Sequence, residues 1–100
     1  MITDDVLLQH KWKKFNGEWK KNGVGLKVDN SQCKVYLNFI INEEEQIGLF
    51  FYHEFEAFDS DISKLEKDIT SAIMNIIYTD LDCKDKITPK IKRAFHNWVQ

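Results

Sequence analysis

The first periodic stretch of the chain indicates a helix. Leu8, Trp12 and Phe15 are spaced as i, i+4 and i+7 with lysines between them, so they would share one face of a helix. A threonine and two aspartates precede this stretch, which is typical of an N-cap followed by acids that stabilise the helix dipole. Asn16-Gly17 ends the pattern. The sequence therefore predicts a first helix over residues 4–15.

The apolar period then changes to two, which is typical of half-buried strands. Three alternating stretches follow one another, separated by polar connections of hairpin length. Their apolar positions are Val24, Leu26 and Val28, then Cys33, Val35, Leu37, Phe39 and Ile41, then Ile47, Leu49, Phe51 and Phe55. We expect an antiparallel meander of three strands, over residues 23–29, 33–41 and 46–55.

The second face of this predicted sheet is not wholly polar. Tyr36, Ile40, Phe50 and Tyr52 occupy alternate positions on it. Because apolar groups clustered on a surface mark interaction sites, either another part of the chain or a partner should cover them. A homodimer formed through these four residues is one possibility.

Two helices are predicted after the meander. Isoleucines and a leucine recur at spacings of three and four over residues 61–78, which predicts a long amphipathic helix on the sheet. Thr88-Pro89 is typical of an N-cap with proline at the first helical position, and a short helix over 89–99 follows. The predicted fold class is α+β, with an N-terminal helix, a three-stranded meander, a long helix and a short C-terminal helix in one domain over residues 1–100.

The composition fits a folded domain without a membrane segment. Hydrophobic residues make up 43% of the 100 residues and charged residues 30%, which favours a packed core over disorder. The longest apolar run is well short of the roughly 18 residues that a membrane helix needs. The first residues lack the features of a signal peptide. We therefore expect a cytoplasmic protein.

The sequence contains no recognisable metal, cofactor or catalytic motif. Cys33 and Cys83 have no CxxC partner and are expected to be free thiols, and no histidine stands at metal-ligand spacing. His53 beside Glu54 is the best acid–base candidate, but neighbours on a strand point to opposite faces. We therefore predict a protein that is not an enzyme; a small enzyme using His53 and nearby carboxylates is an alternative.

Charge is distributed unevenly along the chain. Residues 9–34 contain seven lysines and two acids, a net charge of +5, whereas residues 42–68 contain nine acids and two lysines, a net of −7. The two blocks either neutralise each other, remain solvated, or form separate surfaces for partners.

The acidic block suggests an inhibitory protein. Carboxylates on one surface attract a basic partner and imitate phosphates, and aromatic side chains provide anchors. The hypothesis is a stoichiometric inhibitor, of the immunity-protein or phage-antagonist kind, that blocks a basic, nucleic-acid-processing enzyme. The candidate partner-binding residues are Glu43, Glu44, Glu45, Tyr52, Glu54, Glu56, Asp59 and Asp61.

The basic block suggests an alternative function. In Lys11-Trp12-Lys13-Lys14-Phe15 and Trp19-Lys20-Lys21, lysines alternate with aromatic residues. Lysines neutralise phosphates and exposed aromatic rings stack on bases. The alternative hypothesis is therefore a nucleic-acid-binding domain that uses this N-terminal segment.

Overall fold

The computed structural model describes residues 1–56, 62–78 and 84–100. Five antiparallel strands form one sheet in the order β1-β2-β3-β4-β5. The elements are α1 (Asp4–Gln9), β1 (Lys13–Phe15), β2 (Glu18–Lys21), β3 (Val24–Asp29), β4 (Lys34–Asn42), β5 (Ile47–Glu54), α2 (Ile62–Tyr78), a 3-10 turn (Lys84–Lys86) and α3 (Pro89–Val99). The α+β class is confirmed, but the sheet has five strands where the sequence pattern predicts three.

The predicted first helix is wrong beyond Gln9. Lys11 adopts a left-handed conformation with φ of 69°, and the Trp12 amide donates to the Leu7 carbonyl, which ends the helix. Trp12 is 1% exposed, whereas Phe15, which the helical pattern places on the same face, is 61% exposed. The apparent apolar stripe therefore combines one core residue with residues that face solvent.

Two Asn-Gly turns create the additional strands. Asn16 and Gly17 have φ of 50° and 81°, and Asn22 and Gly23 have φ of 45° and 83°. Two consecutive residues with positive φ form the turn whose twist suits a two-residue hairpin, and Asn-Gly favours it. The first turn joins β1 to β2 and the second joins β2 to β3.

The core lies between one sheet face and the two long helices. Alternate residues of β4 are buried, as predicted, and α2 buries a stripe of isoleucines and one leucine against them. α2 crosses the strands on this one face of the sheet. Its Glu66 lies 3.3 Å from Lys21 of β2, and its Asp68 lies 2.9 Å from His53 of β5. The helices predicted over 61–78 and 89–99 are present as α2 and α3.

The C-terminal helix α3 is fixed at several points. The Thr88 amide donates to the Ile41 carbonyl at the end of β4. Phe95 is fully buried against the backbone of Gly23, where an added Cβ would lie 3.0 Å from its ring. At the far end, the Trp98 indole packs edge-on against Trp12 and donates to the Thr70 hydroxyl.

The turn between β3 and β4 is built around one carboxylate. The Ser31 hydroxyl donates to Asp29 at 2.6 Å, and the Ser31 and Gln32 amides donate to the same oxygen. These bonds favour the charged carboxylate and so lower the pKa of Asp29, and the bond from the Ser31 hydroxyl has the largest effect. Cys33 follows with φ of 53°, outside β4; it is a free thiol, as expected, but is only half-buried. Cys83 lies outside the described residues.

Candidate protein-binding surface

The outer face of the sheet is the face that α2 and α3 do not cover. The strand register brings Lys27, Tyr36 and Tyr52 into one row across β3, β4 and β5. Gly25, Asn38 and Phe50 form the neighbouring row. Side chains of both rows point away from the buried alternation of β4, so they lie on the outer face.

Four aromatic side chains are exposed on the hairpin of β4 and β5, and we call them the aromatic strip. They are Tyr36, Phe50, Phe51 and Tyr52, with exposed fractions of 45, 78, 48 and 65%. Three of them lie on the outer face, as the sequence pattern predicts. Phe51 points to the helix side, where its ring touches Phe39 at 5.4 Å between centroids, yet it remains half-exposed at the sheet edge.

The aromatic strip lies at an edge of the sheet. β5 is the last strand of the sheet, so one side of its eight-residue backbone pairs with no other described strand. Proteins normally protect such an edge with lysine, proline or a bulge. Residues 47–53 contain no lysine and no proline, and the register shift in the β4–β5 pairing lies in β4, between Ile40 and Asn42. This strand therefore offers both backbone hydrogen-bonding groups and aromatic side chains to a partner.

The acidic candidates lie at the two ends of this hairpin. Glu43, Glu44 and Glu45 occupy the turn between β4 and β5, where the Asn42 side chain accepts from two of their amides. Glu54 ends β5 and Glu56 follows it. At about 3.4 Å per residue, the two ends of the strand are about 24 Å apart. The structure thus brings these acids onto one hairpin but not into one patch. Asp59 and Asp61 lie outside the described residues.

Some carboxylates of the acidic block are neutralised within the fold. Glu66 pairs with Lys21 and with His10, at 3.3 and 3.0 Å, and Glu43 pairs with Lys90 at 3.0 Å. Glu54 lies directly opposite Lys34 in the strand register. In residues 1–56, 62–78 and 84–100, no ion pair involves Glu44, Glu45 or Glu56. Carboxylates without an ion pair therefore remain at both ends of the aromatic strip, Glu44 and Glu45 at one end and Glu56 at the other.

The acid–base candidate His53 has a carboxylate partner on α2. His53 faces α2, with its Nδ1 atom 2.9 Å from Asp68, whereas Glu54 lies on the outer face. Glu54, Glu56 and Lys64 line the same shallow pocket as this pair, although His53 and Glu54 leave opposite faces of the strand as the sequence pattern predicts. Within the described part of the chain, no three acidic, histidine or cysteine side chains come together in a way that would hold a metal ion.

Five lysines of the basic block surround one groove of about 740 Å³, and we call it the lysine groove. They are Lys11, Lys13, Lys14, Lys20 and Lys21. The tryptophans between them are unavailable for stacking, because Trp12 and Trp19 are only 1 and 5% exposed. Phe15 is the exposed ring beside the lysines. The sequence pattern predicts Lys11, Lys13, Lys14 and Phe15 in a helix, and the Asn-Gly pairs are the signal that identifies the hairpins instead.

No helix in residues 1–56, 62–78 and 84–100 combines the length and the apolarity needed to cross a membrane. Comparison of the chain with protein families, with characterised proteins and with solved structures finds no match.

Proposed function

We propose that this protein is a small protein-binding module that inhibits a basic, nucleic-acid-processing enzyme stoichiometrically. The observation that carries the proposal is the aromatic strip at an edge of the sheet. Aromatic side chains in the middle of an interface supply most of the binding free energy, and charged residues around them supply orientation and association rate. The hairpin of β4 and β5 has this arrangement, with aromatic residues between two acidic ends.

The charges favour a basic partner over a second copy of this chain. In an antiparallel pairing of two β5 strands, the end with Glu44 and Glu45 would meet the end with Glu54 and Glu56 of the other copy. In a parallel pairing each end would meet its own equivalent. Either arrangement places carboxylates beside carboxylates, which is unfavourable, whereas a partner with lysine or arginine at both positions gains attraction.

An enzyme that acts on nucleic acid is the class of partner that these charges fit. Such enzymes present cations to bind phosphates, and carboxylates on a rigid hairpin imitate the negative charge that those cations bind. Glu44, Glu45 and Glu56, which have no ion pair within the described residues, are the ones available for this role.

The test is affinity capture from the native host with the wild-type chain and two double variants. Phe50→Ser with Tyr52→Ser removes the two most exposed aromatic rings of the strip. Leu8→Ser with Met74→Ser changes two residues of 57 and 47% exposure on α1 and α2 and serves as the matched control. We expect a basic enzyme in one-to-one amounts with the wild type and the control, and at least about 100-fold weaker binding for Phe50→Ser/Tyr52→Ser, since two hot-spot truncations cost about 2 kcal/mol or more each.

The purified partner then gives the decisive activity measurement. We expect its enzymatic activity to fall to zero at a one-to-one ratio with the wild-type protein. A captured partner that is acidic, that binds both double variants equally, or that keeps its activity when saturated would contradict the proposal.

A further inference from the structure

The lysine groove lies at one end of the sheet, and Lys20, Ile40 and Glu43 also line the neighbouring depression that reaches Phe50 of the aromatic strip. It forms where β1 begins, where β2 turns into β3 and where β4 ends, and Phe15, Ile40 and Glu43 complete its wall. The groove thus adjoins the proposed protein interface and shares the hairpin tip at Glu43 with it.

Two of its lysines are held together at an electrostatic cost. Lys13 lies directly opposite Lys20 in the register of β1 and β2, and like charges at directly opposed positions destabilise a sheet. Phe15 lies on the same face of the sheet as these two lysines, and the Lys20 ammonium is 5.1 Å from the centre of its ring. The fold therefore concentrates positive charge here instead of separating it.

The remaining carboxylates do not cancel this charge. Lys14 pairs with Asp4 and Lys21 with Glu66, but in the described part of the chain Lys11, Lys13 and Lys20 have no carboxylate partner. Glu43 is the acid among the lining residues, and its carboxylate is 3.0 Å from Lys90, which does not line the groove. Three cations are therefore available to a ligand.

We propose that the lysine groove binds the phosphate backbone of a single-stranded nucleic acid. Lysines along a groove neutralise successive phosphates, and the 61% exposed ring of Phe15 at its rim stacks on a base. A single strand offers both phosphates for the lysines and an unpaired base for the Phe15 ring, whereas the bases of a duplex are already stacked and paired. This site goes beyond the proposed inhibition and does not depend on it.

The test is fluorescence anisotropy with a labelled 12-nucleotide oligodeoxythymidylate, over a series of salt concentrations from low to physiological. Lys13→Gln with Lys20→Gln removes two groove cations, and Lys64→Gln with Lys67→Gln removes two exposed cations from α2 as the matched control. We expect the groove variant to bind at least about tenfold more weakly at low salt. The slope of log affinity against log salt concentration should become shallower by about 1.4, because each lost phosphate contact removes about 0.7. The control should retain the wild-type affinity and slope.

Three outcomes with the nucleic acids would overturn the proposal. They are the absence of binding at low salt, equal losses in the two double variants, and binding of a duplex of equal length as tightly as the single strand. Inorganic tripolyphosphate tests whether the groove binds any small polyphosphate. If tripolyphosphate binds as tightly as the oligonucleotide, the groove is a site for small anions and not for a nucleic acid. Phe15→Leu should weaken binding of the oligonucleotide but not of tripolyphosphate, because only a base stacks on that ring. Thermal unfolding of each variant establishes that it is folded.

Discussion

Phe95→Ala is expected to lower the free energy of unfolding by about 3–5 kcal/mol, the usual cost of removing a large buried aromatic side chain. Phe95 is fully buried, and its ring lies against Gly23, the turn residue that joins β2 to β3. The truncation therefore leaves a cavity where α3 packs on the sheet. Urea unfolding followed by circular dichroism measures the effect.

Phe50→Ala is the matched control for this experiment. The same chemical change at a residue of 78% exposure should alter the free energy of unfolding by about 0.5 kcal/mol or less. Equal losses for the two variants would mean that the ring of Phe50 is covered within the monomer. In that case the aromatic strip would not be a free surface.

Trp12→Ala is expected to lower the free energy of unfolding by a similar amount, about 3–5 kcal/mol. Trp12 is 1% exposed, packs edge-on against Trp98 and has the Lys21 ammonium 5.8 Å from its ring centre. Its indole nitrogen has no hydrogen-bond partner among the described residues. Trp12→Phe should therefore cost clearly less than Trp12→Ala, since most of the packing is kept and no acceptor loses a donor.

Phe15→Ala separates the observed fold from the helix predicted over residues 4–15. On that helix Phe15 and Trp12 would share the buried face, so both truncations would be costly. In the structure Phe15 is 61% exposed, and its replacement should change the free energy of unfolding by less than about 1 kcal/mol. A loss as large as that of Trp12→Ala would contradict the β1–β2 hairpin.

The central strands and the last two helices follow from their own sequence patterns. β4 is paired on both sides, and it buries Val35, Leu37, Phe39 and Ile41 while the residues between them face outward. α2 covers that face with one stripe at helical spacing. In each of these elements one periodicity describes the whole segment, so local pattern and tertiary packing agree.

In the N-terminal region the apolar spacing gives the wrong prediction. Leu8, Trp12 and Phe15 have helical spacing by coincidence, and β1 and β2 are too short to show a clear alternation. The backbone requirement of Asn16-Gly17 and Asn22-Gly23 decides the structure instead, because each pair forms a two-residue hairpin turn. Asn-Gly therefore carries more information here than the apolar spacing.

The candidate site is only partly predictable for a related reason. Tyr36, Phe50 and Tyr52 follow from alternation, but the exposure of Phe51 depends on β5 being an edge strand. Strand order is a tertiary property that alternation along one strand does not contain. Likewise, the acids near positions 43 and 54 are close in sequence, yet a straight strand holds them at opposite ends of the hairpin.

Amide hydrogen exchange on the captured complex tests the central claim most directly. If the hairpin of β4 and β5 is the protein interface, residues 47–54 gain protection when the partner binds, because the edge of β5 is then covered or paired. The outer face of α3, which carries Lys92 and Arg93, should exchange as in the free protein. Unchanged exchange in residues 47–54, with new protection on α2 or α3, would contradict the account.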